Sequence, residues 1–252
     1  MQGNVKVIGM DCATDAKKVG LAMGTYRDHG ITLLETKLGS DGNSIAEIIM
    51  NWIHEGDKVV FAIDAPLGWP ENLGNTLFHH LAGQALSVES NLMFRRETDR
   101  FIKKTLGKQP LDVGADRIAR TAHAALKILG ELQQANNKME MAWNPEKLNK
   151  MAIIEVYPAA TLQCYGIRSD GYKEKGQQAE RDEILNGLRK VMDFRCDSIH
   201  MRQSADVLDS TVCLLAANDF LNGDVYFPSD LEKAKKEGWI WVKKVSSQTN
   251  FA

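Results

Sequence analysis

Val5-Lys6-Val7-Ile8-Gly9-Met10-Asp11 and Val59-Val60-Phe61-Ala62-Ile63-Asp64 are two short apolar runs, each ending on an aspartate. Runs of this length, rich in β-branched residues, read as core strands. In α/β sheets the C-terminal ends of strands are where ligands bind. A carboxylate at that place lies outside the core pattern, and several carboxylates converging there repel one another unless a cation sits between them. Far downstream an apolar helix opens with Asp206-Val207-Leu208-Asp209, two acids at i and i+3 on one helix face. The residues around Asp209 are apolar, so this helix is expected to pack on the sheet, where a carboxylate is costly without a partner. A divalent-metal site is therefore the first expectation, and metal-assisted phosphate chemistry the first functional reading.

Working outward from the first strand, Cys12 to Lys18 reads as a polar turn, with further strands over Val19–Met23 and Ile31–Leu38 and a hairpin turn at Arg27-Asp28-His29-Gly30. Asp41-Gly42-Asn43-Ser44 supplies turn and N-cap residues. Glu47 stands in capping-box position to Ser44, and Ile45, Ile48, Ile49, Trp52 and Ile53 follow at helical spacing. Antiparallel strands, a helix and a strand joining in parallel predict a mixed α/β sheet flanked by helices. From Pro66 to about Lys150 the pattern turns mainly helical, clearest over Thr121–Ala135, and reads as an insertion or cap at about 70–150 within a single domain of 1–252. A strand over Ala152–Pro158, a polar helix over Gln177–Met192, a long apolar helix over Ser204–Leu221 and a tail at Gly238–Val242, read as a final strand or a packed segment, complete the chain.

Length and composition bound what such a chain does. Its 252 residues suit one large domain, and 44% hydrophobic and 25% charged residues are ordinary for a globular protein. The net charge of −2 argues against a general nucleic-acid coat but leaves room for a local basic surface. Met1-Gln2-Gly3-Asn4 leads directly into a strand, so no signal peptide is expected, and no stretch has the roughly 18 apolar residues of a transmembrane helix. Cys12, Cys164, Cys196 and Cys213 form no C-x-x-C pair, which fits a reducing cytoplasm better than a disulfide or zinc framework.

Asp11, Asp64, Asp206 and Asp209 are the candidate metal ligands and catalytic acids. Each has a plainer alternative: an Asx-turn for Asp11, and first-turn acids behind the N-cap Ser204 for Asp206 and Asp209. Glu155 faces away from its neighbours Ile154 and Val156 along its strand. It reads equally as a ligand, an orienting group or an acid paired with an arginine of the insertion. Hard carboxylate oxygens select Mg²⁺ or Mn²⁺, and two such ions about 4 Å apart suit phosphodiester cleavage. The basic cluster of Arg95, Arg96, Arg100, Lys103, Lys104 and Lys108 is either a phosphate-holding surface or an ordinary solvated helix face.

Ile8-Gly9-Met10-Asp11, Ala62-Ile63-Asp64-Ala65-Pro66-Leu67-Gly68, Arg96-x-x-Asp99-Arg100, Ile154-Glu155-Val156-Tyr157-Pro158-Ala159-Ala160, Tyr172-Lys173, Asp206-x-x-Asp209 and Glu237-Gly238-Trp239-Ile240 occur in that order over nearly the whole chain. In these segments the sequence resembles the family called domain of unknown function 429, described as predicted nucleases of the ribonuclease-H-like fold. More distantly it is similar to Holliday-junction resolvases. The resemblance implies a ribonuclease-H-like sheet, a two-metal site at Asp11, Asp64, Asp206 and Asp209 with Glu155 as a further candidate, and nucleic acid, DNA or RNA, as substrate. Arg95, Arg96, Arg100 and Lys173 are then the expected substrate-binding residues. Ser210 departs from the small alanine that resolvase helices commonly carry after the last aspartate.

The leading expectation is a metal-dependent nuclease. A non-catalytic binding or regulatory domain of the same fold is the main alternative. An actin-like ATPase or sugar kinase fits less well, because such proteins need two cores, and the turn after Asp11 lacks a glycine for phosphate approach. No membrane partner is expected, and a homo-oligomer is left open.

Overall fold

The computed structural model describes residues 4–39, 43–114, 116–135 and 139–245. β1 (Val5–Asp11), β2 (Gly20–Arg27) and β3 (Gly30–Leu38) form an antiparallel meander. Asp28 and His29 both adopt positive φ (48° and 66°) at the expected hairpin turn, the twist that lets two residues reverse a right-handed ribbon. α1 (Ile45–Met50) starts at the expected capping box, with Ser44 and Glu47 each accepting from the other's backbone N–H. Asp41 and Gly42 of the expected turn lie outside the described residues. β4 (Val59–Asp64) then runs parallel to β1.

Four helices follow: α2 (Glu71–Leu77), α3 (Ser90–Phe94), α4 (Glu97–Leu106) and α5 (Asp116–Ala135). β5 (Met139–Met141) and β6 (Met151–Glu155) extend the sheet in parallel beyond β4. After α6 (Pro158–Cys164) and α7 (Gln178–Leu188), the two-residue β7 (Asp193–Phe194) pairs with β3. α8 (Ile199–Gln203), α9 (Ala205–Leu221) and α10 (Leu231–Glu237) close the chain. The strand order β5-β6-β4-β1-β2-β3-β7, with helices on both faces, is a ribonuclease-H-like arrangement. No helix among the described residues is long and apolar enough to cross a membrane.

Strand alternation assigns the two faces. Val5, Val7, Ala22, Val60, Ala62, Ala152 and Ile154 pack under α9. Ile8, Met10, Leu21, Phe61, Ile63 and Ile153 meet α1 and α5 on the other side. α9 is buried along nearly its whole length, as an all-round apolar helix must be. It sits very close to the sheet: a Cβ at Gly9 would lie 2.0 Å from the Ser210 carbonyl, and one at Gly20 2.0 Å from that of Asp206.

Two expectations change. The helical stretch expected as one insertion over 70–150 divides: α5 packs in the core with α1, and β5 is a sheet strand, so the cap proper is α2 to α4 with their loops. The strand expected to reach Pro158 ends at Glu155, because Pro158 takes the first position of α6, where its missing N–H costs no helical bond. Of the two readings of the tail at Gly238–Val242, the structure takes the packed segment, which bridges the sheet between Glu155 and Ile240 and buries Trp239 and Trp241 in the core.

Candidate metal centre

Asp11 and Asp64 are register partners on neighbouring parallel strands, each the last residue of its strand. Both follow by two residues a position that packs under α9, so both carboxyls point to the α9 face. Asp209, fully buried, descends from the second turn of α9. One carboxylate oxygen from each of the three lies within 4.8 Å of the others. The cluster borders a cavity of about 480 Å³ whose lining includes Asp11, Asp64 and Lys173.

Two neighbours in sequence fix Asp209. Its Oδ1 accepts from the Tyr172 hydroxyl at 2.7 Å, and its Oδ2 lies 2.6 Å from the Lys173 ammonium. The second contact is an ion pair without hydrogen-bond alignment, so this buried oxygen has no directed donor. Ser210, the departure noted in the sequence, donates its hydroxyl to the Val207 carbonyl at 2.8 Å and is satisfied within its own helix.

Crowded acids in a buried place titrate abnormally. Burial raises the Asp11 carboxyl well above its usual range, and the charges of Asp64 and Asp209 raise it further against the pull of Lys173. Asp64 is pushed up to about 7, chiefly by burial; Lys173 opposes this, while Asp209 and Glu155 add to it. For Lys173, desolvation is outweighed by Asp209, Asp64 and Asp11, which hold its ammonium protonated. The donor set of hard oxygens, the undirected Asp209 oxygen and the raised acids together fit a divalent cation held by Asp11, Asp64 and Asp209.

The other expected site residues stand outside the close trio, although Glu155 and Arg96 border the same cavity. Asp206 stands half-buried in the first turn of α9 behind the N-cap Ser204 and does not join the close trio; burial and Asp209 raise its carboxyl. Glu155, on the opposite side of β6 from Ile154, faces away from α9 and is not a member of the trio. Its oxygens accept from Arg96 at 2.7 and 2.9 Å and from the Leu67 N–H at 3.0 Å.

Arg96, expected to bind substrate, borders the cavity with its guanidinium committed to protein acceptors. Its guanidinium is buried and donates in forked pairs to Asp99 (2.9 and 3.1 Å) and Glu155, with a further bond to the Glu237 carbonyl at 3.1 Å. No N–H is left for a phosphate. Arg95 is engaged with Asp112 and Asn91, and Arg100 with the Arg95 and Asn91 carbonyls, so both brace the cap. Of the expected substrate-binding residues, Arg96 and Lys173 line the cavity. Lys108 of the basic cluster joins them there, and Tyr172, which grips Asp209, was signalled in the sequence only as the neighbour of Lys173.

A ribonuclease-H-like sheet carrying acids at the ends of its two central parallel strands defines the class of protein. Within it, the family model described as "Protein of unknown function (DUF429)" matches residues 9–233, and the chain belongs to that family. No curated protein matches the sequence.

Proposed function

We propose that the protein is a metal-dependent hydrolase of phosphodiester bonds, with nucleic acid as substrate and Mg²⁺ or Mn²⁺ held by Asp11, Asp64 and Asp209. The observation that carries this reading is the convergence of three carboxylate oxygens within 4.8 Å at one cavity. A divalent ion there supplies charge stabilisation of the phosphoryl oxygens and acidification of the attacking water. Tyr172 and Lys173 hold Asp209 in place, and the ammonium groups of Lys173 and Lys108 offset the charge of an incoming phosphate. In the hydrolysis, the water oxygen bonds to phosphorus as the ester P–O bond breaks. The bonding pair goes to the leaving oxygen, which takes up the proton that the water gives away. Four free cysteines suit a reducing compartment, and we place the protein in the cytoplasm.

The test is thermal denaturation with and without Mn²⁺ or Mg²⁺. Either ion should raise the melting temperature of the intact protein, and Asp64→Asn or Asp11→Asn should remove most of the rise. Absence of any rise in the intact protein would overturn the metal site. Hydrolysis of an oligonucleotide that survives Asp11→Asn would overturn its role in catalysis.

A further inference from the structure

Asp11 and Asp64 lie in the wall of a cavity. A strap between α4 and α5, Lys108 to Leu111, contributes to the cavity lining beside Ile118 and Thr121 of α5. The strap is tied down at both ends. The Lys108 ammonium donates to the Ser169 carbonyl and hydroxyl at 3.3 and 3.4 Å, the Leu106 carbonyl accepts from Gln163 at 2.6 Å, and Asp112 is paired with Arg95 at 2.7 Å. Pro110 within it is buried. The strap is thus a fixed part of the cavity wall.

A cavity of about 480 Å³ is in the size range of a pocket for one small molecule. Its lining divides by chemistry. Lys108 and Lys173, with a divalent ion that Asp11 and Asp64 would hold, offer a place for one phosphate, and Pro110, Leu111, Ile118 and Tyr157 offer apolar and aromatic surface for a flat, weakly polar group. A nucleotide unit has these two parts in one molecule. A paired duplex keeps its bases stacked inside and its phosphates on the outer surface of a rod, so reaching these acids requires extruding a nucleotide or starting from a single strand.

Resting on the hydrolase reading above, we propose that the cavity admits one unpaired nucleotide unit, from a single-stranded end or from a free nucleotide, and excludes intact duplex. Hydrolysis of such an end yields a nucleotide and a shortened strand; water supplies hydroxide to phosphorus and a proton to the leaving oxygen.

Binding is measured by titration calorimetry in Mn²⁺ with thymidine 5′-monophosphate, a single-stranded oligonucleotide, and a blunt duplex of the same length. The mononucleotide and the single strand should bind and the duplex should not. The mononucleotide arm separates a free-nucleotide ligand from a strand end. Leu111→Glu places a negative charge at an exposed lining position (69% exposed), so it should fold normally and weaken binding roughly tenfold or more. Thr121→Trp should weaken binding by filling space. Duplex binding as tight as single-strand binding, or unchanged affinity in both variants, would overturn the inference. A Mn²⁺ titration without nucleotide is run on the same sample. Metal binding with no nucleotide binding sinks this inference alone, and nucleotide binding with no metal binding keeps the cavity and sinks the hydrolase.

Discussion

Asp64 and Glu155 both end strands of one parallel pair, yet their carboxyls serve different ends. Glu155 pairs in register with Ile63, one residue before Asp64, so strand alternation turns it to the other face and into the guanidinium of Arg96. Asp64 turns toward α9 and meets Asp11 and Asp209. The raised carboxyl of Asp64 has a consequence for stability. An acid that titrates at about 7 in the folded protein and near 4 when unfolded holds its proton better when folded. Its contribution is therefore full below the unfolded value and is lost as pH rises through the folded one. In chelator the melting temperature should fall between pH 5 and pH 8, and Asp64→Asn should flatten that slope. A saturating divalent ion should do the same, because it binds the ionised form. Identical slopes in Asp64→Asn and the parent would show that the acid is not buried as described.

At the scale of elements, the site depends on how closely α9 approaches the meander. Gly9 and Gly20 leave room for the helix carbonyls of Ser210 and Asp206, and this close seating helps set where Asp209 meets Asp11. Gly9→Ala should cost about 1–3 kcal/mol or more through overpacking, read from urea unfolding, and should also weaken metal binding. Gly130, inside α5 with nothing within 4 Å of its would-be Cβ, is the control: Gly130→Ala should stabilise by roughly 1 kcal/mol. Equal effects of the two substitutions would mean that the approach of α9 is not tight.

Over the whole molecule, a second buried acid cluster ties cap, sheet and tail together. Arg96 and Asp99 come from the start of α4, and Glu155 from β6. Glu237 ends α10 and accepts from the first N–H groups of both α2 and α4, at 2.9 and 2.7 Å. Gly68 and Gly238 pass where side chains would collide with Glu237 and Glu155. Four of the family segments thus meet in a scaffold that holds the cap beside the acids. Arg96→Met leaves Glu155 and Asp99 buried without a counter-charge and should cost about 3–5 kcal/mol in chemical denaturation. A loss of activity with stability intact would instead return Arg96 to the substrate.

The amino-acid sequence alone settled β1 to β4, the capping box, the hairpin turn and the long apolar helix, because hydrophobic period and local hydrogen bonding fix these within a few residues, whereas the short β5 and β7 carry too little pattern to read. It also identified Asp11, Asp64 and Asp209, since an acid that interrupts an apolar pattern stands out in one dimension. It showed that Glu155 faces away from Ile154, but not which side of the sheet α9 would cover. Packing in three dimensions settled that, and with it the place of Glu155 and Arg96 outside the acidic trio, the outlying place of Asp206 and the joining of Lys108 to the cavity. These outcomes depend on contacts between segments far apart in the chain, whose geometry is set by packing across the sheet and leaves no local mark on either segment.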